Sequence, residues 1–84
     1  MALKTTFLVQ TFALKRGRLA PGKAERAPTE NGAGKRAEAE ATRSKGVAAV
    51  RIVADDETGE VSDAQILAQF GDVPEDFLDQ LRGG

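Results

Sequence analysis

The 84-residue sequence predicts a small α+β fold, with a ββαβ core followed by two short C-terminal helices. An apolar, β-rich segment, a glycine turn and a second extended segment indicate a hairpin near the N-terminus. A segment of Lys, Arg, Glu and Ala then predicts a helix, and a run of Val, Ile and Ala predicts a further strand. A chain of this length buries one core, so we expect a single domain over residues 1–84.

The predicted hairpin has a first strand over residues 5–14 and a return strand over residues 19–27. Apolar side chains occupy both faces of the first strand, so we expect it to be buried on both. Gly17 can adopt the positive φ that a tight turn requires. Three cations surround it: Lys15, Arg16 and Arg18. Because Pro21 lacks a backbone N–H, the return strand is expected at a sheet edge.

An Ala-rich helix is predicted over residues 35–43, which are mostly strong helix formers. Thr29 or Asn31 can cap its start. Its apolar face consists of residues spaced four apart: Ala33, Ala37 and Ala41. These side chains offer only methyl groups, so we expect the helix to lie close against the sheet. The next strand, over residues 47–54, follows this helix, and that order favours a right-handed parallel crossover. We therefore expect a mixed sheet of three to four strands.

The C-terminal third predicts the two short helices. Ser62 is a suitable cap for the first, which is expected to end at Gly71. Its apolar stripe consists of three side chains: Ile66, Leu67 and Phe70. The last helix is predicted to open at residues 73–76, where Pro74 suits a first turn. Its apolar face consists of Phe77, Leu78 and Leu81.

Charge is divided unevenly along the chain. Residues 1–53 carry eleven Lys and Arg against four Glu, a charge of +7, whereas residues 54–84 carry Arg82 against nine Asp and Glu, a charge of −8, which together give the net charge of −1. Acidic residues are concentrated in one turn: Asp55, Asp56, Glu57 and Glu60. An asymmetry of this kind indicates electrostatic recognition. We therefore predict that the acidic turn and the cations around Gly17 bind a partner.

The sequence contains no His and no Cys, which excludes several kinds of site. A Ser-His-Asp or Cys-His arrangement, a thiol redox pair and a Cys/His zinc site cannot be built. The carboxylates of the acidic turn are expected to be solvated, whereas a catalytic carboxyl needs burial to raise its pKa. Counted from Asp55, Gly59 falls at the fifth position of a calcium loop instead of the sixth. We predict that the protein is not an enzyme and uses no cofactor or metal.

A homodimer is predicted because the core is thin and no disulfide braces it. The predicted interface is apolar and consists of Phe70, Phe77, Leu78 and Leu81. The alternative is a dimer held by the positive half of one copy against the negative half of the other, which salt would weaken.

The function predicted from these features is that of a small interaction protein, an inhibitor or modulator of a larger protein or nucleoprotein complex. The acidic half would mimic nucleic-acid phosphates, or the basic half would dock on an acidic protein surface. In character, the chain is similar to phage-encoded inhibitors such as anti-CRISPR proteins, a comparison that rests on size and composition. A further alternative is nucleic-acid binding through the basic hairpin, although the chain has no Tyr or Trp for base stacking.

The last four residues, Leu81-Arg82-Gly83-Gly84, resemble the tail of ubiquitin and its relatives. The predicted ββαβ order is also similar to the start of that family's fold. The resemblance implies an alternative function as a modifier that is joined to lysines through its terminal glycine.

A cytoplasmic location is expected. The apolar run over residues 7–9 is interrupted at Gln10 and Thr11, so it lacks the pattern of a signal peptide. No apolar stretch approaches the roughly 18 residues that a membrane-spanning helix requires.

Overall fold

The computed structural model describes residues 2–82. Its elements follow in chain order: β1 (Leu3–Lys15), β2 (Arg18–Ala27), α1 (Glu30–Glu40), β3 (Gly46–Asp55), β4 (Val61–Gly71) and α2 (Phe77–Leu81). The four strands form one sheet in the order β2-β1-β3-β4, and all neighbouring pairs are antiparallel. α1 packs on one face of the sheet and α2 on the other. The prediction of a small α+β fold is confirmed, and so is the edge position of β2.

The prediction of a mixed sheet is wrong. β2 and β3 run in the same direction, but β1 lies between them, so they do not pair with each other. β1 buries Val9 on the α1 face and Phe12 on the α2 face. A strand that is apolar on both faces gains most from an interior position, because both faces and both edges are then covered. α1 therefore crosses β1 and delivers β3 to its far side.

The predicted helix over residues 62–71 is also wrong, because this segment forms β4. Ile66 packs on the α2 face, whereas Leu67, Ala68 and Phe70 pack on the α1 face. Leu67 is an extra residue at a shift in the register with β3. Such a bulge shifts the alternation of side chains between the two faces by one residue. The strand patterns before and after Leu67 therefore combine into a spacing that resembles the apolar stripe of a helix.

Of the two predicted C-terminal helices, only the last forms within residues 2–82, and it is short. α2 begins at Phe77, after an irregular segment that contains Pro74. Phe77 meets Phe12 edge to face, with ring centroids 5.0 Å apart. This aromatic contact fixes α2 against the sheet.

α1 lies close to the sheet, as its alanine face predicts. Ala33 and Ala37 have no exposed surface and pack against Val9 and Val47. Thr29 is the N-cap, and its Oγ1 accepts a hydrogen bond from the Gly32 N–H at 2.9 Å. Because this face carries only methyl groups, the helix backbone can approach the strands closely. A helix with small side chains can therefore cover this side of the sheet.

The chain leaving β4 passes tightly over the start of β3. Gly46 is buried, and a Cβ at this position would overlap the carbonyl oxygen of Asp72. The Asp72 N–H also donates to the Lys45 carbonyl at 3.1 Å. Only glycine fits here without moving the backbone.

Within residues 2–82, no helix has the length and apolar character that crossing a membrane would require.

Candidate interaction site

The hairpin of β1 and β2 extends beyond the rest of the sheet. β3 begins at Gly46, which pairs with Phe12, so the hairpin pairs only with itself from residue 13 onward. Three residue pairs form this extension: Ala13 with Ala20, Leu14 with Leu19, and Lys15 with Arg18. At about 3.3 Å per residue, it projects roughly 10 Å. We call residues 13–20 the basic ribbon.

The tip of the basic ribbon is a two-residue turn with an unusual residue in it. Arg16 has φ 54° and Gly17 has φ 79°. Two positive φ values are typical of a type I′ turn, for which Asn-Gly is the preferred sequence. For a residue with a Cβ, the left-handed conformation costs about 1–2 kcal/mol. The chain therefore holds an arginine where asparagine or glycine would be more stable.

The three cations of the ribbon have no counterion within residues 2–82. Lys15 and Arg18 are directly opposite each other, an arrangement in which like charges destabilise a strand pair. Both are exposed, as is Arg16, and none of the three forms an ion pair with another residue in the described range 2–82. Leu14, beside them, is 53 % exposed. The ribbon thus presents unneutralised positive charge next to an apolar side chain.

The acidic turn between β3 and β4 is organised differently. Asp55 Oδ1 accepts hydrogen bonds from the N–H groups of Glu57 at 2.8 Å and Thr58 at 3.3 Å. The Thr58 Oγ1 accepts from the Glu60 N–H at 3.1 Å. The Gly59 N–H donates to the Asp55 carbonyl at 2.8 Å. Side chains of the turn therefore satisfy its own backbone.

The structure separates the predicted partner-binding residues into two sites. Leu3 pairs with Asp55, whereas Lys15 lies twelve residues further along β1. That separation corresponds to roughly 40 Å of strand, and the longest dimension of the molecule is 40 Å. The basic ribbon and the acidic turn lie at opposite ends of the sheet and cannot form one contact surface. No group of His, Cys, Asp or Glu within residues 2–82 is arranged to hold a metal ion.

The residues of the predicted dimer interface also lie on different surfaces. Phe77 is only 4 % exposed and, with Leu81, packs into the core on the α2 face. Phe70 packs on the α1 face, and Leu78 is half-buried. The four side chains therefore do not form one patch, and the predicted interface stays a prediction.

A second group of cations lies on α1 and the neighbouring strand, and here ion pairs are common. Lys23 Nζ lies 2.7 Å from Glu25, which also pairs with Arg36. Arg43 pairs with Glu40 at 2.8 Å. The hydrogen bond from Lys23, followed by that from Arg36, holds the pKa of Glu25 below its usual range. Two of these cations, Arg36 and Arg43, line a shallow groove of about 370 Å³, and each of the two is compensated by a glutamate.

Sequence reasoning could not distinguish these two groups of cations. Glu25 lies eleven residues from Arg36 in the chain, and only the packing of α1 beside β2 brings the two together. The one available signal is that no acidic residue falls within residues 1–24, so the ribbon has no counterion nearby in sequence.

Comparison of the chain with protein-family models, with curated proteins and with solved structures finds no match. The predicted modifier function depends on Gly83 and Gly84, which lie outside the described residues.

Proposed function

We propose that the chain is a non-enzymatic interaction protein that inhibits or modulates a larger protein or nucleoprotein complex, and that it docks through the basic ribbon. The observation that carries this proposal is the strained, unneutralised tip. Arg16 occupies a left-handed conformation, and Lys15 faces Arg18 across the strand pair. Both features lower the stability of the free protein, and local strain of this kind is typical of binding sites. An anionic partner surface would supply the counterions.

A protein surface fits the ribbon better than an extended nucleic acid. Leu14 is exposed beside the cations, and an apolar anchor among charges is common at protein interfaces. Carboxylates follow β4 at the same end of the sheet: Asp72, Glu75 and Asp76. A continuous run of phosphates along this end would meet these acids, whereas a protein can present charges of both signs.

The residue inventory supports a binding function over a catalytic one. The chain has neither imidazole nor thiol, and these groups supply most general bases and nucleophiles near neutral pH. The acidic turn uses Asp55 to hold its own backbone. An inhibitor needs only a surface that fits its target, which is what the ribbon offers.

The test is a capture experiment with matched charge variants. The immobilised protein is exposed to nuclease-treated extract of its native host, and retained proteins are identified by mass spectrometry. The variant Arg16→Glu/Arg18→Glu is expected to lose the captured protein. The control Lys4→Glu/Arg26→Glu changes the net charge equally at two exposed cations outside the ribbon and is expected to retain it.

Two outcomes would contradict the proposal. Equal loss in both variants would mean that net charge, and not the ribbon, governs binding. Two results together would favour the nucleic-acid alternative. The partner would be captured from untreated extract but not from nuclease-treated extract. The chain would also bind labelled DNA or RNA at about 50 mM salt, with an affinity that falls steeply as the salt concentration rises.

The modifier alternative has a separate test. Deletion of Gly83 and Gly84 is expected to leave partner capture unchanged, because the ribbon lies on other elements of the fold. Covalent attachment of the full chain to host proteins, detected as a larger band in denaturing gels and lost on deletion, would instead support a modifier.

A further inference from the structure

The two outer strands of the sheet are protected very differently. β2 carries Pro21 and three cations, which discourage another strand from pairing with it. The cations are Arg18, Lys23 and Arg26. β4 is eleven residues long, and its residues 64–71 contain neither proline nor charge, although they include the bulge at Leu67. An edge of this kind is a ready template for a further β-strand.

The outward groups of β4 can be identified from one contact. Arg82 Nη2 donates to the Ala64 carbonyl at 3.4 Å, so that carbonyl is directed away from β3. In an antiparallel strand, the N–H and C=O of one residue point the same way. Ala64 and, two residues on, Ile66 therefore direct both backbone groups away from β3. Ala64 is only 4 % exposed, so the open part of the edge lies beyond it.

The open part of the edge includes Gln69 and Gly71, which are both exposed. The Asp72 N–H is bonded to the Lys45 carbonyl and so points to β3. The backbone groups of Gly71 and Gln69, one and three residues earlier, therefore point away from β3.

We propose that β4 pairs with β4 of a second copy, antiparallel about a two-fold axis, and joins the two sheets into one of eight strands. A two-fold axis places the segment over residues 64–71 opposite itself. Because this segment is uncharged, no like charges meet at its centre. The same arrangement at β2 would bring Lys23 and Arg26 close to their own copies, which disfavours that edge.

A second copy also completes the burial of side chains that one chain leaves half-buried. Ile66 and Leu67 lie on opposite faces of β4 and are each partly exposed. A neighbouring strand would cover both faces at this edge at once. The inference is independent of what the basic ribbon binds, and its interface differs from the apolar side chains predicted from the sequence.

The experiment measures mass by light scattering at 0.1 M and 1 M salt over a range of concentrations. We expect a dimer of twice 8.9 kDa at both salts, because the paired segment is uncharged. In the variant Gln69→Pro, the ring replaces the outward N–H and blocks the edge. This variant is expected to weaken the dimer at least tenfold.

A matched control exists on the opposite edge. The Lys23 N–H is directed at Thr11, so the N–H of Ala24 points away from β1. The control Ala24→Pro therefore makes the same substitution at an outward N–H of β2 and is expected to leave the dimer unchanged. If Gln69→Pro proves unfolded by circular dichroism, Gln69→Lys replaces it, since Gln69 is exposed and makes no side-chain hydrogen bond within residues 2–82. It is expected to weaken the dimer severalfold.

Three results would overturn the inference. The first is a monomer at both salts up to millimolar concentration. The second is a dimer that neither β4 variant weakens. The third is a dimer that dissociates at 1 M salt, which would mean that the charged halves hold it together.

Discussion

The basic ribbon and the acidic turn are both charged hairpin turns, but only one of them has a structural reason for its charge. Asp55 accepts two backbone hydrogen bonds and thereby holds the acidic turn in place. The ribbon cations form no ion pair within residues 2–82, Lys15 faces Arg18, and Arg16 has a left-handed conformation. The comparison teaches that a charge which stabilises its own fold needs no partner to explain it, whereas a charge which destabilises its fold does.

The largest expected effect separates the two turns by binding. Against the purified captured partner, Arg16→Glu/Arg18→Glu is expected to raise Kd at least a hundredfold, or about 2.7 kcal/mol. Asp56→Lys/Glu60→Lys reverses two charges of the acidic turn without removing the Asp55 hydrogen bonds and is expected to change Kd less than twofold. Titration calorimetry measures both. The reverse ranking would favour the alternative in which the acidic turn mimics phosphates.

The next effect concerns the stability of the acidic turn. Asp55→Ala leaves two backbone N–H groups without their acceptor, and we expect the free energy of unfolding to fall by about 1–2 kcal/mol. Asp56→Ala is the control, because the Asp56 side chain accepts no hydrogen bond among residues 2–82, and a change below about 0.5 kcal/mol is expected. Urea titration measures both. Equal losses would mean that the hydrogen bonds of Asp55 do not organise the turn.

A smaller effect of opposite sign is expected at the ribbon. Arg16→Asn gives the turn its preferred Asn-Gly sequence and is expected to stabilise the protein by about 1 kcal/mol. The same change should weaken partner binding, since a contact cation is lost. Lys15→Asn also removes a cation, but Lys15 is not among the residues with positive φ. A gain in Lys15→Asn as large as in Arg16→Asn would assign the effect to charge repulsion instead of backbone strain.

The smallest effect is a pH dependence in the ion pairs beside α1. Contacts with Lys23 and Arg36 lower the pKa of Glu25 from its ordinary value of 4.5. A carboxyl with a lowered folded-state pKa contributes stability above pH 4.5 and loses it as the pH falls through the lower value. Glu25→Gln should therefore reduce the loss of stability on acidification below pH 4.5, measured by thermal unfolding. An unchanged pH profile would mean that these ion pairs do not contribute.

The elements that the sequence predicts well are those with a local signal. Gly17 marks the hairpin, Thr29 caps α1, and Ala33 and Ala37 define its buried face. β4 lacked such a signal, because the bulge at Leu67 moves the alternation and produces a helix-like spacing. The strand order could not be predicted from the sequence either. It depends on the free energy gained when β1, which is apolar on both faces, takes an interior position in the sheet.

The candidate site likewise has features that the sequence predicts and features that it does not. Its residue types and the turn that carries them are evident in the sequence. Which cations have counterions is not, because Glu25 neutralises Lys23 and Arg36 only after β2 and α1 have packed together. The contrast between compensated and uncompensated charge is therefore a property of the fold.

The close passage of the chain over Gly46 joins the segment that leads into α2 to the start of β3. The backbone leaving β4 rests on β3 where no side chain can intervene, and the Asp72 N–H is bonded to the Lys45 carbonyl. We therefore expect that the short helix α2 does not detach while the sheet persists. Loosening the junction would release Phe77 from Phe12 at the same time, so the last turn of the chain and the central strands should lose their protection against solvent deuterium in one cooperative event.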